Sequence, residues 1–232
     1  NITADNSITG GGALTVVDGA VQTYKGNIDV GSLEIMDATT SVTLGADTSK
    51  TVRTATSVDI NSNSGELTQN ASVDAGTSLD YDAAGTIGIN ESIATGTTVD
   101  IDATGMTTIA EAGDIDAGGA VAFGAAKTGM LTTAGEILTS DDNITFSNRV
   151  ILQGDVGIDT ASSGNILFSS KVATSGQALT LDAGESGNIT ADNSITGGGA
   201  LTVRDGAVQT YKGNIDVGSL EILDATTSVT LG

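Results

Sequence analysis

Asp59, Asp80 and Asp100 stand 21 and 20 residues apart, and each is followed two residues later by a second oxygen-bearing side chain, Asn61, Asp82 and Asp102. Carboxylates returned at a near-constant interval are groups that a repeating fold stacks on one another. Like charges on neighbouring strands repel. Asp59, Asp80, Asp82, Asp100 and Asp102 would therefore either raise one another's pKa or draw in a hard cation such as Ca²⁺. Strand positions are stiff, and the Gly-Gly-x-Gly-x-Asp nonapeptide of calcium-binding solenoids is missing. A solvated acidic face is thus the plainer expectation, a weak Ca²⁺ patch the sharper one. No other cofactor is expected.

A second acidic feature is Asp141-Asp142, the only adjacent carboxylate pair. Glycoside hydrolysis uses two carboxylates at a set separation, but only Arg149 and Lys127 lie near this pair in sequence. The loop Ser140-Asp141-Asp142-Asn143 reads as a solvated corner. The chain has no His and no Cys, which removes the common nucleophile–base pairs and Zn sites. The expectation is that it is not an enzyme.

The elements that carry these residues follow from composition and repeats. The 232 residues include 8 Lys and Arg against 29 Asp and Glu, a formal charge of −21. That balance argues against a nucleic-acid partner. The longest apolar run, Ala120 to Phe123, is far below the roughly 18 residues of a membrane span, so no membrane insertion is expected, and no signal peptide is recognisable. Disorder is disfavoured by 38% apolar residues set in alternating patterns such as Leu79-Asp80-Tyr81 and Val99-Asp100-Ile101. Proline is absent, as expected where nearly every backbone N–H joins a ladder.

Residues Asn1 to Gly45 recur as Asn188 to Gly232 with 43 of 45 positions identical; Val17 becomes Arg204 and Met36 becomes Leu223. This predicts one tandem unit over 1–187 and the start of a near-identical unit over 188–232, a window on a longer array joined without a linker. Inside the unit a shorter period runs. One column reads Val42, Val58, Leu79, Val99, Val121, Ile144, Ile166 and Ile189. A second reads Val16, Ile35, Val52, Val73, Ile93, Ile115, Ile137, Ile158, Leu181 and Val203. The second takes nine steps to cover 187 residues, about 21 each, with register least regular over residues 2 to 58. Short β segments at this period predict an all-β parallel β-helix (β-solenoid) of about 21 residues per coil, about 11 coils in all and about nine per unit. Phe123, Phe146 and Phe168 would stack in its core. Asn1, Asn27, Asn143, Asn165, Asn188 and Asn214 each precede a strand, where Asn suits a sharp corner and its amide can bond between layers. A string of immunoglobulin-like sandwiches is the competing architecture; the absence of Trp, Pro and any linker-like break weighs against it.

The stretches Asn143-Ile-Thr-Phe-Ser, Asn165-Ile-Leu-Phe-Ser-Ser-Lys-Val, Ala178-Leu-Thr-Leu-Asp-Ala-Gly and Gly187-Asn-Ile-Thr resemble repeats of giant bacterial surface proteins of the filamentous-haemagglutinin-like and autotransporter-adhesin type. The resemblance is clearest over residues 143 to 203. It implies a secreted, right-handed parallel β-helix on the surface of a Gram-negative cell, and it carries over no functional residue. The expected function is a structural segment of a long, stiff, acidic extracellular fibre, stalk or sheath. The alternative is an adhesin shaft or adhesive surface that attaches to other cells. The expected partner is the chain itself, end to end or side by side. An outward column of aromatic or basic residues, the mark of a binding face, is not found.

Overall fold

The computed structural model describes residues 1–63, 65–127 and 129–232. Its strands form three eleven-stranded sheets, and every pairing within them is parallel. Each coil contributes one strand to each sheet in turn, so the chain winds through eleven coils as a β-solenoid. All three sheets run through Asn188 without interruption, joining the two copies of the repeated sequence.

One coil shows why the sequence adopts this shape. Glu66–Gln69 lies in the first sheet, Ser72–Ala75 in the second and Leu79–Ala83 in the third. Alternation sends Leu67, Val73, Ala75, Leu79, Tyr81 and Ala83 inward, where all are buried, and sends Thr68, Asp74, Asp80 and Asp82 outward. Between the second and third strands the chain turns at Gly76. Above it sit Gly96 and Gly118, and a Cβ on Gly96 would come within 2.2 Å of the Gly76 carbonyl oxygen. The stacked corners approach so closely that only glycine fits.

The interior is a set of continuous like-on-like stacks. Phe123, Phe146 and Phe168 lie in register in the third sheet, with ring centroids 5.2 and 4.7 Å apart and planes within 8°. All three are buried, as are Tyr24, Tyr81 and Tyr211. Every aromatic side chain of the protein, three Phe and three Tyr, is therefore spent on the core. Within the repeated segment, the two copies differ on the outside. Val17, Met36 and Leu223 are exposed, as is Arg204, so the substitutions leave the interior packing unchanged.

The two hydrophobic columns read from the sequence each cross between sheets. Val58 pairs with Leu33, not Val42, which belongs to the first sheet. Val52 pairs with Ile28 in the second sheet, while Val16 and Ile35 pair with each other in the third. From Val52 and Val58 onward each column stays in one sheet, the second and the third respectively. The physical reason is that all three sheets share the same inward alternation, so an apolar column can step from one face to the next unnoticed.

Candidate functional site

The third sheet presents its outward side chains in straight rows. Glu34, Asp59, Asp80 and Asp100 occupy consecutive positions in one row. Beside it runs a second row of Asn61, Asp82 and Asp102. All five predicted carboxylates thus fall on one face, in the order expected. Glu34 is the residue that the spacing does not reveal, because a column through Val42 and Val58 puts Thr43, one residue past Val42, beneath Asp59. Beyond Asp100 the row continues as Ala122, Thr145 and Leu167 and loses its charge.

A corner partly covers the second row. After Phe123 the chain turns through Gly124, at a φ of 69°. A Cβ there would also collide with the side chain of Asn148. The turn brings the Ala126 N–H to Asp102 Oδ2 at 2.9 Å and the Lys127 ammonium onto Asp82 Oδ1. Asp102 is 6% exposed, and its Oδ1 is buried without a hydrogen-bond partner among the described residues, as are Asp100 Oδ1 and Asn61 Oδ1.

Among the described residues the first row has no ion pair, though Glu34 Oε2 accepts from Thr15 Oγ1 at 3.2 Å. Partial burial, then the carboxylates of Asp59, Asp100, Asp82 and Asp102, push Asp80 up to about 6. Burial raises Asp59, with Glu34 and Asp82 adding to it. Burial also raises Asp100, reinforced by Asp102 and Asp82 against an opposing backbone hydrogen bond at Ile101. The second sheet makes a useful contrast. There Arg53 stands in register between Asp29 and Asp74 and reaches the Asp74 carboxylate at 3.2 Å. Alternating charge relieves that row; in the third sheet repulsion accumulates. Among the described residues, no three acidic groups converge closely enough to enclose a metal ion, so a cation here would be held between carboxylates of neighbouring strands.

The six asparagines fall at three different corners. Asn143, Asn165 and Asn188 stack before the third sheet, where Asn143 Oδ1 accepts from the Asn165 N–H and Nδ2 at 2.8 and 2.9 Å. Asn165 Oδ1 accepts both donors of Asn188 at 2.9 Å. Asn27 lies before a strand of the second sheet and accepts from the Thr51 N–H at 3.2 Å. Asn1 and Asn214 lead into strands of the first sheet.

Asp141 and Asp142 form an exposed corner. Asp141 adopts a left-handed φ of 68°, and its Oδ1 accepts from the Ser162 N–H of the next coil at 2.7 Å. That contact ties layer to layer. A surface groove of about 200 Å³ crosses the second sheet, lined by Glu136, Asp155, Asp159, Asp182 and Arg204 among others. Compared with protein-family models, curated proteins and solved structures, the chain matches none.

Proposed function

We propose that this chain is a structural segment of a long, stiff, acidic fibre, stalk or sheath outside a Gram-negative cell. The observation that carries this is the run of three parallel ladders along one axis, unbroken across the junction of two near-identical sequences. Ladder hydrogen bonds lie along that axis, so tension loads three rows together. Each coil needs only its neighbours, and more units lengthen the rod without a new packing problem. The formal charge of −21 keeps rods soluble and apart. The extracellular setting rests on the resemblance of residues 143 to 203 to giant surface-protein repeats.

The proposed partner is the chain itself, end to end or side by side, because each coil is completed only by a neighbouring coil. Adhesion through this segment draws less support, because the aromatic anchors that dominate binding surfaces are all buried here. No catalytic role is proposed.

Electron microscopy of native material tests this. The expected result is a thin continuous rod with a layer line near about 4.8 Å. A string of separate beads without that line would overturn it and make tandem domains with an adhesive role the better account.

A further inference from the structure

The repeated sequence occupies different faces of the solenoid in its two copies. The strand at Ile2–Ala4 is the first of 33, in the first sheet; its counterpart at Asn188–Ala191 is the twenty-seventh, in the third. The offset of 26 strands, at three per coil, is eight and two-thirds coils. Thr15 pairs with Glu34 in the third sheet, and the equivalent Thr202 pairs with Glu221 in the second. Gln22 pairs with Val42 in the first sheet, and Gln209 with Val229 in the third. One ion pair survives the move: Lys25 meets Asp5 at 2.7 Å, and Lys212 meets Asp192 at 2.7 Å.

We propose that successive 187-residue units are turned by one face, a third of a revolution, about the rod axis. The inference rests on the tandem-fibre function above and adds its lateral geometry. Every strand of a unit moves back by one sheet in the next, as the paired residues show. The acidic rows of Glu34, Asp59, Asp80, Asp100, Asp82 and Asp102, on the third face in this unit, lie on the second face in the next. They pass to the first after that, and return in the fourth unit. The rows therefore advance about 42 Å per unit and complete one revolution in 26 coils, about 125 Å.

This defines the surface offered to a second copy of the chain. Averaged over three units, the rod has neither an acidic side nor a neutral one. Two rods lying side by side oppose acidic rows over at most one unit in three, whatever the angle of approach. Lateral repulsion is spread evenly, and neighbours are equivalent from every direction.

The turn depends on the register of residues 2 to 58, and the protein lacks native Cys, so disulfide trapping tests it directly. Neighbouring parallel strands place paired Cα atoms about 4.8 Å apart, within disulfide reach. Oxidation should cross-link Glu34→Cys with Asp59→Cys and fail to cross-link Thr43→Cys with Asp59→Cys. The reverse result means nine whole coils per unit and overturns the turn. All three positions face outward, and circular dichroism of the reduced variants checks that they fold. In native rods the axial repeat should be about 125 Å, three units; a repeat of one unit, about 42 Å, would also overturn the proposal. If the Glu34–Asp59 cross-link forms but native material contains no rods, the fibre role falls and the turn of the unit stands. If rods form with a one-unit repeat, the reverse holds.

Discussion

Tyr81 donates its hydroxyl hydrogen to Gln69 Oε1 at 3.2 Å, a bond that spans the buried interior from the third sheet to the first. The same glutamine donates through Nε2 to the Ala71 and Glu91 carbonyls at 3.0 and 2.8 Å. It thereby closes a corner as well as holding the tyrosine. Tyr81→Phe leaves a buried acceptor without its donor and should cost about 1–3 kcal/mol. Tyr211 provides the internal control, because its buried hydroxyl has no partner among the described residues. Tyr211→Phe should leave stability unchanged or raise it by up to about 1–3 kcal/mol, because it removes an unsatisfied buried hydroxyl. Urea unfolding of both variants reads the contrast, and equal losses would show that the bond contributes nothing specific.

The acidic row should make the protein more stable in mild acid. Asp80 titrates near 6 when folded, against 3.8 as an ordinary carboxyl, and Asp59 and Asp100 shift in the same direction. Between those values the folded state holds a proton that the unfolded chain has released, so stability falls as pH rises through about 4 to 6 and then levels. The Asp80 side chain remains exposed, and solvent screening reduces its share to the order of 1 kcal/mol. Going from pH 7 to pH 5 should raise Tm by about 2–4 °C. Asp80→Asn should raise Tm at pH 7 and flatten the dependence; a Tm that falls on acidification in the native protein contradicts this.

Cations should act on the same row. At millimolar Ca²⁺, pairs of neighbouring carboxylates become weak oxygen sites, and a tenfold excess over a millimolar Kd stabilises by about 1.4 kcal/mol. The Tm should rise above that in NaCl of matched ionic strength, and Asp80→Asn with Asp100→Asn should remove the difference. Equal shifts with Ca²⁺ and with NaCl would reduce the effect to screening of a solvated face.

Phe146 lies between two stacked rings, whereas Phe168 has one, its other register neighbour being Ala191. Phe146→Ala should cost about 3–5 kcal/mol as a buried aromatic truncation. It should exceed Phe168→Ala by about 0.5–1.5 kcal/mol, the worth of the additional ring contact. Denaturant midpoints of the two variants decide it.

The sequence was most legible where polarity alternates strictly. From Val52 and Val58 onward, both columns follow one sheet each, and the rows of Asp80, Asp100, Asp82 and Asp102 come directly from them. The remaining sheet carries its own apolar column through Val42, Leu67, Ile87, Leu131, Val150, Val172 and Ile195, but buried Gln22 and Thr107 interrupt it, as Gln69 and Thr133 interrupt the inward row beside it. Inward polarity of this kind depends on partners in other strands, which spacing does not reveal. Glu34 escaped notice for a related reason: coil length changes in the first 58 residues, and interchangeable faces let Val42 stand in for Leu33. The asparagine stack over 143, 165 and 188 was legible through its spacing. Asn27 and Asn214 share the residue type but lie at different corners, which residue type alone does not distinguish.

The interchangeability of the three faces also bears on how such a chain lengthens at the level of its gene. A duplicated DNA segment need not encode a whole number of coils for its product to continue the ladder; it needs only to begin and end between strands. The 187-residue unit, with its eight and two-thirds coils, is a duplication of that permissive kind. In the proposed fibre, slippage or unequal exchange between near-identical copies would therefore add or delete units while preserving every strand pairing, so rod length would be free to vary.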